Sequence, residues 1–260
     1  MNNKLSESIS NWLLDYLDAS GLSTFIVGIS GGVDSAVVST LCANTGRPVI
    51  VLNIPIHSKD NNTDLSQAHC DWLVENYKNV RAETVDLTPA YDAYASTVLS
   101  HINKNDLAFA NSKSRLRMVL LYQYATTFHG LVVGTGNKVE DFGVGFYTKY
   151  GDGGVDLSPI ADLTKTDVRA LAEILRVSQD ILDAPPTDGL WEDSRTDEAQ
   201  IGASYEELEW AMAYIDNGLD DALTGRQGEV LDIFLGFRKN NSHKMRPIPV
   251  YQLKGPQNVD

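Results

Sequence analysis

Residues Thr24 to Cys42 read TFIVGISGGVDSAVVSTLC. Thr24, Phe25, Ile26, Val27 and Ile29 form an apolar, β-rich run of strand length. Its near-continuous apolarity suits a central parallel strand buried on both faces. Ser30, Gly31 and Gly32 break the extended conformation, and from Val33 the apolar residues Val33, Ala36, Val37 and Leu41 recur at helical spacing. The stretch therefore reads as strand, glycine turn and helix.

That order has a chemical consequence. The first amides of a helix lack partners and carry the positive end of its dipole, so a phosphate is favoured there. Gly31 and Gly32 let the backbone approach a ligand closely, and Ser30 and Ser35 add hydroxyl donors. Asp34 is an anion where a phosphate is expected, which is unfavourable unless a cation such as Mg²⁺ lies between them. An ordinary turn capped by Ser30 would need neither two glycines nor the acid. The Walker A pattern with its Lys is absent, as is GxGxxG.

Outward from this stretch the strands and helices alternate. Val49–Ile54 reads as a second buried strand, SKDNNT at 58–63 as a polar loop, and Asp64–Tyr77 as a helix. Val80–Leu87 alternates as a third strand, and Thr88-Pro89 opens a helix, Pro being tolerated in its first turn. Asn111–Phe128 reads as a long helix and Leu131–Gly134 as a fourth strand. This predicts one α/β domain, a doubly wound parallel sheet with helices on both faces, and ligands at the carboxyl ends of its strands.

Composition limits the function. The chain has 260 residues, 43% hydrophobic and 22% charged, which is ordinarily globular. A net charge of −14 argues against broad nucleic-acid or anionic-membrane binding. Cys42 and Cys70 are the only cysteines, without a CxxC pair, and fit a reducing cytoplasm. His69 beside Cys70 is a weak metal signal. There is no signal peptide and no long apolar span. Residues 1–20 place Leu5, Ile9, Trp12, Leu13, Tyr16 and Leu17 on one helical face, which packs on the domain or on a second subunit.

The second informative stretch is TGNKVEDFGVGFYTKYGDGGVDLSP, residues 135–159. Its glycines are too frequent for a packed element, and its place after a strand end predicts a binding loop or lid. Arg115 and Arg117 lie two apart on a helix and so point in different directions, each toward a surface ion pair or a ligand. Thr164–Leu175 reads as a helix with Lys165 in its first turn, where a cation opposes the dipole and needs some other partner or solvent. Asp183–Glu198 reads as a mobile loop, Tyr205–Ile215 and Glu229–Phe237 as helices, and Asn240–Met245 with RPIPV as an extended end.

SGGVDS resembles the pyrophosphate loop of the PP-loop ATP pyrophosphatases, which cleave ATP to AMP and pyrophosphate. With GISGGVDS (28–35), R-x-R (115–117), GTGNKVE (134–140), GFYTKYGDGGVDLSPI (145–160), APPTDGL and DEAQIGASY (184–205) and SHK (242–244), the chain resembles the short, ammonia-dependent members of the NAD synthetase family. The blocks are collinear over most of the chain. The resemblance implies that the nicotinate carboxylate of deamido-NAD is adenylated by MgATP and that ammonia then displaces AMP, giving NAD. It assigns Mg²⁺ to Asp34 and Glu140. It assigns ATP to Gly28, Ile29, Ser30, Gly31, Gly32, Val33, Asp34, Ser35, Thr135, Lys165 and Thr187, with a phosphate as the partner of Lys165. It assigns deamido-NAD to Arg115, Lys149, Asp156, His243 and Lys244. Asp152 is expected to hold or deprotonate ammonium, against the alternative of a turn-forming Asp in GDGG. Val139 stands where many relatives have Ser.

The resemblance also implies a homodimer and no appended glutaminase domain in residues 1–260. Two other readings compete. One is a PP-loop ATP pyrophosphatase with another acceptor; the other is a non-catalytic adenine-nucleotide sensor, which would need neither the Asp34–Glu140 pair nor a second anion pocket.

Overall fold

The computed structural model describes residues 3–57, 60–187, 189–191, 195–218 and 222–252. Its centre is a parallel sheet of β1 (Thr24–Ile29), β2 (Val49–Asn53), β3 (Val80–Thr84) and β4 (Gly130–Val132), in the order β3-β2-β1-β4. Phe25 pairs with Val49 on one side and with Leu131 on the other. The chain thus winds outward from β1 in one direction and returns to its other edge as β4. The crevice between the carboxyl ends of β1 and β4 is where an open α/β sheet binds ligands.

Side chains alternate across β1 as the strand period requires. Phe25, Val27 and Ile29 enter a core shared with α1 (Asn3–Ser20), α2 (Val33–Asn44), α3 (Asp60–Asn76) and α6 (Lys165–Ile174). Ile26, with Ile50, Leu52 and Val132, faces Leu121 and Ala125 of α5 (Asp106–Thr127) on the opposite side. Helices cover both faces, as the apolar run predicts. α4 (Thr88–Leu99), with Pro in its first turn, completes this half.

A second core lies after the sheet. A π-helical turn, Lys138–Val144, packs Val139 and Val144 against α8 (Asp197–Ile201), α9 (Tyr205–Asp216) and α10 (Gly225–Met245), around the fully buried Phe234. The short α7 (Gln179–Asp183) connects the two halves.

Several boundaries differ from the sequence reading. β3 stops at Thr84, yet the Val85 and Leu87 amides still donate to the Asn53 and Pro55 carbonyls, so the alternation outlasts the regular ladder. β4 stops at Val132, and Val133 makes one parallel bridge to Leu157. α5 begins at Asp106 because Asn105 caps it, accepting from the Ala108 amide. α3 begins at Asp60 rather than Asp64, and Ser58 and Lys59 of the expected polar loop lie outside the described residues. α10 continues to Met245, so residues 240–245 are helical and not extended.

His69 is buried at the back of this core. Its Nε2 lies 3.0 Å from Ser39 Oγ and its ring stacks on Trp72, which accounts for it without a metal. Burial pushes its pKa down from 6.5 to about 4. The unfolded chain therefore binds more protons between these values, and stability falls as pH drops through that window, by about 3 kcal/mol at most. Denaturant melts of wild type and His69→Asn at pH 7 and pH 4.5 test this. The wild type should lose more stability than the variant on acidification; equal losses would contradict it.

Candidate functional site

The turn after β1 is shaped by its own hydroxyls. Gly31 has φ +86°, which favours glycine, and Gly32 is the N-cap of α2 without any side-chain cap. Ser30 Oγ accepts from the Gly32 amide at 3.2 Å. Ser35 Oγ accepts from the Ser30 amide at 3.2 Å and donates to the Gly32 carbonyl at 2.9 Å. The two serines brace the loop rather than cap the helix, so the start of α2 retains its anion-binding character.

Asp34, in the first turn of α2, meets two residues from distant parts of the chain. Lys165 Nζ donates to Asp34 Oδ2 at 2.5 Å and to Glu140 Oε1 at 3.1 Å. Three local devices set this geometry. Thr164 and Asp167 form a capping box that fixes the start of α6 and with it Lys165. Asn137 Oδ1 accepts from the Val139 and Glu140 amides, both at 3.1 Å, and starts the π-helical turn. Gly145, at φ +66°, ends it. π-Helical turns are uncommon and concentrate at functional sites.

The electrostatics follow from enclosure. Lys165 is 3% exposed; burial alone would lower its pKa, but the two carboxylates outweigh this and raise it. Burial holds Asp34 above the usual carboxylate range despite Lys165, and its Oδ1 is buried without a hydrogen bond. Glu140 is also desolvated, yet Lys165 and the Tyr205 hydroxyl together bring it below its ordinary value. Asp141, the next residue, is raised well above its usual range by burial and by Glu140, Asp152 and Asp34. Its carboxylate lies against Gly136, where a Cβ would stand 2.0 Å from Oδ2.

Tyr205 closes the cluster from the second core. Its hydroxyl is 2.5 Å from Glu140 Oε1, and Lys165 Nζ lies 4.7 Å from its ring centroid. A polar cavity of about 360 Å³ opens beside it, lined by Lys165, Thr166, Arg169, Pro186, Glu198 and Tyr205 among others.

A second group of polar side chains surrounds the glycine-rich stretch. Arg115 Nε donates to the Lys149 carbonyl at 3.3 Å, and Lys149 Nζ donates to the His243 carbonyl at 2.9 Å. Lys244 Nζ donates to the Gly145 and Tyr147 carbonyls, both at 2.6 Å. Asp152 Oδ1 accepts from Ser114 Oγ at 2.7 Å and from the Thr148 amide at 3.0 Å. Asp152 keeps solvent-facing area, but its carboxylate is turned into dense protein and its pKa is raised. Asp156 accepts from the Tyr122 hydroxyl at 3.0 Å and the Val132 amide at 2.8 Å.

The expected residues thus fall into two groups. Asp34, Glu140 and Lys165 meet at the end of β1; Arg115, Lys149, His243 and Lys244 are linked around residues 145–152. Gly28, Ile29 and Val33 carry the first group's backbone, Thr135 follows the end of β4, and Thr187 follows the cavity-lining Pro186. Arg115 and Arg117 diverge as expected, and Arg117 Nε donates to the Ile54 carbonyl at 3.0 Å. The glycine-rich stretch is packed, correcting the sequence reading. A Cβ at Gly151 would lie 2.2 Å from Ser114 Oγ, and one at Gly153 would lie 2.4 Å from Tyr147. The sequence reading also missed Asn137, Ser114, Asp141 and Tyr205. Only Asn137, an Asn placed before an apolar-acidic run, carried a local signal, that of a cap.

The NAD synthase family model matches residues 5–247. The chain belongs to the NAD synthase family. It is 34% identical to the NH(3)-dependent NAD(+) synthetase of Methanosarcina mazei, over 95% of this chain and 98% of that protein. It is 36% identical to the enzyme of the same name from Carboxydothermus hydrogenoformans, over 93% and 94%. It superposes on NMN synthetase from Francisella tularensis with a TM-score of 0.84 at 29% identity, covering 96% of this chain and 98% of that one. Family membership bears out the reading of the collinear blocks. Among the described residues, no group of three or more His, Cys, Asp or Glu is placed to hold a metal; Asp34 and Glu140 are a pair.

The Lys165 ammonium is the electrostatic keystone of this cluster. Lys165→Met keeps the chain length and removes the charge, leaving two largely buried carboxylates uncompensated. Denaturant unfolding at pH 7 should show a loss of about 3 kcal/mol. Adding Asp34→Asn to that variant should recover much of it. A single variant as stable as wild type would contradict the assignment.

Proposed function

We propose that this chain amidates the nicotinate carboxylate of deamido-NAD with ammonia, using ATP and releasing AMP and pyrophosphate. Family membership supports the reaction. The observation that carries its placement is the Asp34–Lys165–Glu140 cluster beside the open start of α2. A carboxylate oxygen of the acceptor attacks the α-phosphorus of ATP, and pyrophosphate leaves toward the Gly31–Gly32 turn. The α2 amides and Lys165 stabilise its charge. Ammonia then adds to the acyl carbon, and AMP departs as the amide forms.

The cluster suits Mg²⁺. Both acids offer hard oxygen ligands, and Asp34 Oδ1 is a buried acceptor without a hydrogen bond. Asp34 and Glu140 would hold the ion, with phosphates and water as the remaining ligands, and Lys165 would turn from the acids to phosphate. Bound there, Mg²⁺ neutralises leaving-group charge. Thr135 and Thr187 are assigned to ATP by the same reading. Arg115, Lys149, Asp156, His243 and Lys244 are assigned to the acidic acceptor, and Asp152 to ammonium.

Residues 1–260 act as one synthetase domain using free ammonia. The two free cysteines, both buried, fit a reducing cytoplasm, and no helix among the described residues is long and apolar enough to cross a membrane. We also assign a homodimer. α1 leaves Trp12 45% and Tyr16 42% exposed beside a groove of about 540 Å³ lined by Ile9, Trp12, Phe142 and Pro159. Light scattering at micromolar protein should give twice the 28.5 kDa chain mass; a monomer would overturn this.

The test of function is a product assay with MgATP, ammonium and either deamido-NAD or nicotinate mononucleotide. NAD and AMP should form in equal amounts from the dinucleotide, and Asp34→Ala should lower the rate at least about a hundredfold without unfolding. A strong preference for the mononucleotide would move the reading to an NMN-forming enzyme. ATP left unconsumed by folded protein would move it to a sensor.

A further inference from the structure

Glu140 has two hydrogen-bond partners at one oxygen. Lys165 Nζ and the Tyr205 hydroxyl both fall on Oε1, at 3.1 Å and 2.5 Å. The Asn137 side chain also bears on this carboxylate and helps to hold it below its ordinary value. A phenol has a single proton to give, and Asp197 Oδ2 lies farther away, at 3.3 Å from the same hydroxyl. The proton is therefore committed to Glu140, with the Asp197 carboxylate behind the oxygen.

Tyr205 is itself firmly held. It is 4% exposed, its amide donates to Glu198 Oε1 at 2.9 Å, and the capping box of Ser204 and Glu207 fixes the first turn of α9 around it. The hydroxyl thus reaches Glu140 from a separate core, with little freedom to move. We propose that Tyr205 is a positioning residue for the metal-binding carboxylate: it pins Glu140 Oε1 so that Oε2 is presented to the ion. This rests on the Mg²⁺ reading of Asp34 and Glu140. Groups that hydrogen-bond to a ligand in this way commonly contribute about tenfold to a hundredfold in metal affinity.

The test measures calorimetric binding of a non-hydrolysable ATP analogue with and without Mg²⁺, for wild type and Tyr205→Phe. The variant keeps the ring, and with it the packing and the contact with Lys165. The gain in affinity that Mg²⁺ confers should fall about tenfold, while Mg²⁺-free binding and the melting temperature stay near wild type. In a Glu140→Gln background the same substitution should have no effect, because Tyr205 acts through that carboxylate. An unchanged Mg²⁺ gain, or an equal loss with and without Mg²⁺, would overturn the inference alone. A wild type without any Mg²⁺ gain would overturn the metal reading and the inference with it.

Discussion

A buried ammonium shared by two carboxylates is the constraint on which the rest of the site depends. At an effective dielectric near 20, unit charges about 4 Å apart interact by roughly 4 kcal/mol. Asp34 and Glu140 without Lys165 would face both that repulsion and the cost of desolvation. Lys165 lies 131 residues from Asp34 and 25 from Glu140. The ion pair therefore fixes the start of α6 against the turn after β1 and the π-helical turn after β4. On the proposed Mg²⁺ reading, a divalent ion and a phosphate together would replace the ammonium's contacts and supply it with a new anion.

The architecture delivers these three pieces to one place. β1 and β4 are neighbours although four helices lie between them in the chain, so their carboxyl ends share a crevice. The π-helical turn serves two purposes. Val139 and Val144 enter the second core, while Glu140 points back to Lys165. Through Tyr205 that core touches the charged cluster directly. The glycine-rich stretch lies against Ser114 of α5 and Asn241 of α10, close enough that side chains at Gly151 and Gly145 would collide. Its glycines serve close packing, which differs from the open loop that composition alone suggests.

Local signals made the sheet legible. The β1 run, the glycine turn and the Pro in α4 each act through backbone preferences within a few residues, and the structure follows them. Lys165 was legible as a problem, a cation at the wrong end of a helix, but its partners were not, since no local pattern encodes contacts this distant. His243 and Lys244 follow two asparagines and a serine, weak helix formers that suggest a frayed end. Tertiary bonds override this preference: Asn241 Nδ2 donates to the Val144 carbonyl, and Lys244 to two further carbonyls. Tyr205 reads in sequence only as an apolar residue opening α9. Its role depends on which acid the fold sets opposite its hydroxyl.

The central claim is that Lys165 holds the place of a bound cation until nucleotide arrives. A crystal structure of the protein with Mg²⁺ and a non-hydrolysable ATP analogue tests it most directly. The account predicts Lys165 Nζ on a phosphate oxygen and an ion bound by Asp34 and Glu140. An ammonium still shared by both carboxylates, with the phosphates bound away from the Gly31–Gly32 turn, would contradict it.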